Sequence, residues 1–235
     1  MQEILNLIQP LQAESFSAPR VTPTNDKVET YSREFLVGYL LHYCRLSHKM
    51  RKQNTIPVLQ ALLEIEPENG EVYFLLGRQY QMAGKLAEAL ACFEKAAVLR
   101  PDKPGYVLAG VHTACLLGQR TKALSMVCNV ISAYPNMAEA YYERGLIFEA
   151  DTNWARAARD YEMCIRFDPE NPAYLCAAAA MYRRQSLYKI ARRLANKALK
   201  IDPNYSLAHE ELRLLPFFEQ FGLVSSSKDV SAIAN

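Results

Sequence analysis

Lys189, Arg192, Arg193, Lys197 and Lys200 recur at steps of three and four residues, the spacing that brings side chains onto one face of a helix. A row of cations so arranged can neutralise carboxylates or phosphates. Arg183 and Arg184 precede it, and residues 173–201 contain no acid, whereas residues 138–171 hold eight acids against four bases. Net charge over the 235 residues is only +2, so the chain as a whole offers no field that favours nucleic acid or membrane. A solvated helix face is the plain reading of the row. The sharper reading is a meeting place for an acidic protein surface, an anionic lipid or a nucleic acid. Nucleic acid fits worst, because only Tyr182 and Tyr188 lie near enough to stack on bases.

Other reactive side chains are scattered. Cys44, Cys92, Cys115, Cys128, Cys164 and Cys176 form no CxxC pair, and His42, His48, His112 and His209 form no HxxxH or HExxH. This pattern reads as buried thiols in a reducing compartment and argues against a disulfide framework or a metal site. No P-loop, GxGxxG or GxSxG is present, and carboxylates such as Glu143 and Glu149 are explained as solvated helix faces. The expectation is a non-enzyme without a cofactor. The N-terminal stretch has no basic leader and is broken by Glu3, Pro10 and Glu14, and no window approaches about 18 apolar residues, so a cytoplasmic or nuclear protein without a membrane span is expected.

The elements that position these residues follow a period. Pro67, Pro101, Pro135, Pro169 and Pro203 stand 34 residues apart, which defines units 36–69, 70–103, 104–137, 138–171 and 172–205. In unit 70–103, Tyr73, Leu76, Gly77 and Tyr80 make one helical stripe, Gly84 breaks the chain, and Ala89, Phe93 and Ala96 make a second. Gly77 and Ala89 are expected to let the two backbones approach while Tyr73, Tyr80 and Phe93 fill the surrounding space. Each proline ends a unit because it lacks the amide a continuing helix needs. Asn69, Asp102, Asn136, Asn171 and Asn204 follow as expected helix caps, with Glu139 completing a capping box and Pro172 at a first helical position.

These residues resemble the signature of the tetratricopeptide repeat family. Unit 70–103 carries Tyr73, Leu76, Gly77, Tyr80, Ala89, Phe93, Ala96 and Pro101; unit 138–171 carries Tyr141, Gly145, Phe148, Ala157, Tyr161 and Pro169, with Arg144 where Leu is usual. The resemblance spans about residues 36–205. It implies an all-α, right-handed superhelical solenoid of helix-turn-helix repeats with a C-terminal capping helix, expected at 206–215 and interrupted by Pro216. Residues 26–216 would form the repeat domain, 1–25 a short helix and linker ahead of it, with Asp26 and Glu29 capping the helix that enters unit 36–69, and 217–235 an apolar, then Ser-rich tail.

By the same resemblance, the first helices of successive repeats line a concave groove that holds a peptide or helix with spaced hydrophobic anchors. The corresponding positions are Phe74, Arg78, Leu108, His112, Tyr142, Leu146, Cys176, Ala180, Arg183 and Arg184. Phe74, Leu108, Tyr142 and Leu146 read as anchors, Arg78, His112, Arg183 and Arg184 as orienting groups, and Cys176 and Ala180 as small residues that leave room. The Lys and Asn pair with which relatives clamp acidic chaperone tails is absent from every repeat. The expected function is a protein-interaction adaptor or chaperone-like scaffold. The alternatives are a subunit packed permanently in a larger assembly and, behind it, an anion-binding role for the basic fifth repeat. The apolar stretch 212–224 either covers the end of the last repeat or supplies a contact for a second copy of the chain.

Overall fold

The computed structural model describes residues 37, 38, 40–42, 44, 45 and 55–231, with side chains placed as far as 219. The segment expected at 1–25, the Asp26 and Glu29 cap, and Tyr39 and Tyr43 of the first unit lie outside the described residues. From residue 55 onward the regular elements are all helices: α1 (Ile56–Ile65), α2 (Gly70–Met82), α3 (Leu86–Leu99), α4 (Pro104–Leu116), α5 (Arg120–Ala133), α6 (Ala138–Ala150), α7 (Trp154–Phe167), α8 (Pro172–Arg184), α9 (Tyr188–Ile201) and α10 (Ser206–Ser231). They fall into two compact units, residues 1–113 and 114–235.

The turn inside each hairpin is built the same way four times. Gly84 and Gly118 take φ of +74°, and Thr152 and Ser186 take φ of 56° and 60°. The next amide then reaches back five residues: Lys85 N–H donates to Tyr80 O at 2.9 Å, Gln119 to Ala114 at 2.9 Å, Asn153 to Phe148 at 2.8 Å and Leu187 to Tyr182 at 2.9 Å. This is the left-handed helix ending that satisfies the last carbonyls.

Within 1–113, Val58, Leu59 and Leu62 of α1 pack with Val72, Leu75 and Leu76 of α2 and with Val37, Leu40, Leu41 and Cys44. Gly77 has a more specific role than expected. A Cβ there would stand 2.7 Å from the Phe93 ring, so the glycine makes room for an aromatic side chain. Within 114–235 the same arrangement recurs, a Cβ at Gly145 falling 2.5 Å from the Tyr161 ring. In the next hairpin Ala179 and Ala195 pack together instead, and α9 rests on its alanines.

The caps divide. Asn69 Oδ1 accepts from Glu71 N and Val72 N, and Asn171 Oδ1 accepts from Ala173 N. The other three expected caps are corrected. Asn136 lies one residue ahead of the Met137 cap position. Asp102 stands two residues before Pro104, where both its oxygens take Arg100 at 2.9 Å, and that guanidinium lowers its carboxyl to about 2. Asn204 instead gives its amide to Asp202 Oδ1 at 3.0 Å. Asn153, missed in the sequence, caps α7 by accepting from Arg156 N.

The end of the capping helix is also corrected, because α10 continues through Pro216 to Ser231. Proline forfeits one helical hydrogen bond there. Contacts on both sides of it compensate: Leu215 is fully buried, Phe218 lies under Arg183, and Glu219 binds Arg192.

Candidate binding surfaces

In the unit 1–113, Phe74 of α2 is half-buried. Its ring stacks on Tyr106 of α4 at 4.4 Å and tilts against Phe93 at 5.7 Å. Arg78, one helical turn on, is half-exposed, His112 is exposed, and Leu108 is buried. Gln81 Nε2 donates to Thr113 Oγ1 at 3.4 Å, a tie between the same two helices. Phe74, expected as an anchor, therefore has one ring face covered by Tyr106 of the neighbouring first helix and stays half-exposed.

In the unit 114–235, Tyr142 of α6 repeats this arrangement. It lies 5.4 Å from Tyr174 of α8 and 5.5 Å from Tyr161 of α7, and both Tyr142 and Leu146 are half-buried. Burial, with Glu143 beside it, raises the Tyr142 phenol, so it stays neutral and can donate a hydrogen bond across the physiological range.

The last first helix differs from its expected role. Cys176 leaves no room for a ligand: it is buried against Ala198 of α9 and Ala208 of α10, which occupies the place of a further repeat. Its thiol is pushed up to about 11 by that burial. Arg183 is likewise engaged, its Nε and Nη2 donating to Glu211 at 2.7 and 3.1 Å while its guanidinium lies 4.9 Å from the Phe218 ring centre. The carboxylate that meets Arg183 comes from α10, and no spacing in the sequence announces a pair 28 residues apart. Ala180 is half-buried, and Arg184 is exposed with its guanidinium over the Trp154 ring at 4.5 Å. The paired arginines thus separate, one closing the end of the repeats and the other lying on an indole.

The basic row is present on α9. Lys189, Arg192, Arg193, Lys197 and Lys200 are all exposed, opposite the buried Ala191, Ala195 and Ala198. With Asn196 they line an open depression of about 540 Å³. Among the described residues no three His, Cys, Asp or Glu converge in a metal-binding arrangement, and no helix is long and apolar enough to cross a membrane.

Comparison with known proteins places this geometry. The tetratricopeptide repeat family matches residues 70–103, which contain α2 and α3. Anaphase-promoting complex subunit CDC16 of Saccharomyces cerevisiae is 22% identical over 169 residues, 72% of this chain and 20% of that protein. The chain spans between 16% and 26% of the length of four curated relatives it matches. Among solved structures, TTC0263, a thermophilic TPR protein of Thermus thermophilus, superposes with a TM-score of 0.64 at 17% identity, covering 76% of this chain and 98% of that one. YrrB, described as a TPR protein with an unusual peptide-binding site, gives 0.57 at 19% identity, covering 74% and 91%. With a matched repeat in α2 and α3 and the same hairpin built again in the second unit, the chain carries a tetratricopeptide repeat at residues 70–103 and the helical-hairpin fold of the proteins it superposes on.

Proposed function

We propose that the chain is a non-catalytic interaction scaffold that holds a peptide or helix of a partner protein against its first helices. The observation that carries this reading is the state of Phe74, Tyr142 and Leu146. Each is fixed in a repeat yet half-exposed, which is how a preformed surface offers apolar anchor sites at little ordering cost. Arg78, His112, Ala180 and Arg184 complete the surfaces of the two units, whereas Leu108, expected as an anchor, is buried in the core and offers a ligand nothing. The similarity to YrrB, whose description names a peptide-binding site, supports the ligand class. Burial pushes the Cys44 and Cys164 thiols up to about 12, so these two are structural, whereas Cys128, expected to be buried, is exposed.

Selecting peptides on the full chain from a random library and mapping the tightest by hydrogen exchange tests the reading. Protection should fall on α2 and α4 of the first unit or on α6 and α8 of the second. Protection confined to α3, α7 and α9, or no enriched sequence, overturns it. A second reading, permanent packing in an assembly, draws on α10, where Leu207 and Phe217 are 51% and 56% exposed, and on the name of the similar CDC16 subunit. Light scattering separates the two: a monomer favours the transient scaffold, and an obligate oligomer favours the subunit.

A further inference from the structure

We propose that the exposed face of α9 is a second docking surface, independent of the first helices, and that it takes an acidic peptide segment of a partner protein. The six residues lining the depression are Lys189, Arg192, Arg193, Asn196, Lys197 and Lys200, with no acid and no aromatic ring among them. Among the described residues, only Arg192 of the row has a carboxylate, Glu219, whose two oxygens take its Nη2 at 2.8 and 2.7 Å. The remaining four cations have no carboxylate within salt-bridge reach among the described residues. A neighbouring cleft of about 620 Å³ between α6 and α7 shows the contrast: its arginines share the lining with Asp160 and Glu162, and Asp160 is bonded to Arg144.

The shape of the row selects the occupant. From Lys189 to Lys200 it is about 16 Å long, and Lys189, Arg193 and Lys197 follow at about 6 Å of rise. A helix with a carboxylate every fourth residue repeats at the same distance, and an extended strand with alternate carboxylates comes close. Glu219, bonded to Arg192, borders the row, and Glu162 stands on the Tyr182 hydroxyl, a phenol within electrostatic reach of Arg193. Those carboxylates repel a broad anionic plane such as a membrane, but they leave a single line of acid free to lie between them. Nucleic acid lacks stacking partners here, because no aromatic ring is among the residues that line the depression. Single exposed ion pairs contribute little, so the surface works only as a set and its affinity falls with salt.

The test uses the full chain and a labelled alanine-based peptide of roughly 12 residues with Glu at every fourth position, set against the same peptide carrying Gln. At low ionic strength the Glu peptide should bind and the Gln peptide should not. Arg193→Glu/Lys197→Glu, with an unchanged circular dichroism spectrum, should weaken binding by about tenfold or more. Arg192 is left intact so that its pair with Glu219 persists. Equal binding of the two peptides, or wild-type affinity in the double variant, overturns the proposal. So does tighter binding of phosphatidylserine vesicles or of a single-stranded oligonucleotide of equal charge, which would reassign the row. The row lies on a second helix, so these outcomes leave the first-helix surface to its own test.

Discussion

Two hairpins, α2–α3 and α6–α7, lock the same joint in opposite ways. In the first, Leu76 and Cys92 face the interface, and burial pushes that thiol up to about 11. In the second, two repeats later, Arg144 and Asp160 stand in their places, joined by Nε and Nη2 bonds of 2.9 and 2.7 Å with side chains only 24% and 6% exposed. Arg144 also approaches Cys128 of α5 at 3.9 Å and the Tyr141 ring at 5.5 Å. One joint is dry and the other ionic, yet the backbones form the same hairpin. The repeat therefore constrains the pair and leaves the single residue free. A charge is accepted at a Leu position only because a second substitution across the interface receives it.

The largest effect comes from separating that pair. Arg144→Leu leaves the Asp160 carboxylate buried without its cation and should cost about 3–5 kcal/mol of stability. Arg144→Leu/Asp160→Cys rebuilds the dry joint of α2–α3 and should return to within about 1 kcal/mol of the parent, or exceed it. Urea unfolding reads both. A single variant no less stable than the double would show that the ionic tie is only decoration on a joint held elsewhere.

A smaller effect separates the next position along. Gly77 and Gly145 each admit a ring, but Tyr161 is pinned by its hydroxyl bond to Glu149 at 2.9 Å, whereas Phe93 has no such tether. Gly145→Ala should therefore cost more than Gly77→Ala, within the roughly 1–3 kcal/mol range of overpacking, because the tethered ring cannot swing away. Equal losses in thermal melts would mean that backbone, not ring, takes up the strain.

How much of this was legible differs by position. The 34-residue proline period was plain, since it is fixed by one helix packing on the next, whereas Gly77 was paired with Ala89 in the sequence and in the fold makes room for the Phe93 ring. Asn69 and Asn171 could be read as caps because each directly precedes its helix. Asn136 and Asp102 could not be told from them, because a cap depends on a one-residue choice of helix start that the turn decides. Arg144 was visible as a departure from the pattern, but its partner was not, because Asp160 looks like any surface acid until α7 is folded onto α6. Cys176 and Arg183 misled for a related reason. Their positions face a groove in a repeat that has open space beyond it, and here α10 fills that space. The extent of α10 was hidden because Pro216 signals a stop locally, while Phe218 and Glu219 act through contacts with α8 and α9.

The tethered ring can also titrate, where the Phe93 ring that takes its place in α2–α3 cannot. Burial, with the Glu149 carboxylate beside it, raises the Tyr161 phenol above its usual range. Its folded value exceeds the unfolded value of about 10, so the stabilisation is complete below that pH and is lost as pH rises toward the folded value. Tyr161→Phe copies Phe93 and should cost about 1 kcal/mol near neutrality through the lost hydrogen bond. That cost should shrink above pH of about 10, where the parent alone has this phenol to ionise. A constant difference across the alkaline range would remove Tyr161 from the account.

The smallest effect lies in the turns. Gly84 closes the α2–α3 hairpin in the left-handed region at no steric cost, while Thr152 holds the same place in α6–α7 with a branched side chain. A β-branched residue there carries a penalty of about 1–2 kcal/mol, and glycine recovers it less the roughly 0.5–1 kcal/mol that its freer unfolded chain costs. Thr152→Gly should therefore gain about 0.5 kcal/mol, a rise of about 1–2 °C in Tm for a chain of this size. Ser186→Gly should gain less, because Ser186 Oγ accepts from the Tyr188 hydroxyl at 3.3 Å and that bond would go. A lowered Tm for Thr152→Gly would mean that the threonine side chain contributes a contact worth more than the strain it imposes, and the two turns would then differ in kind as the two joints do.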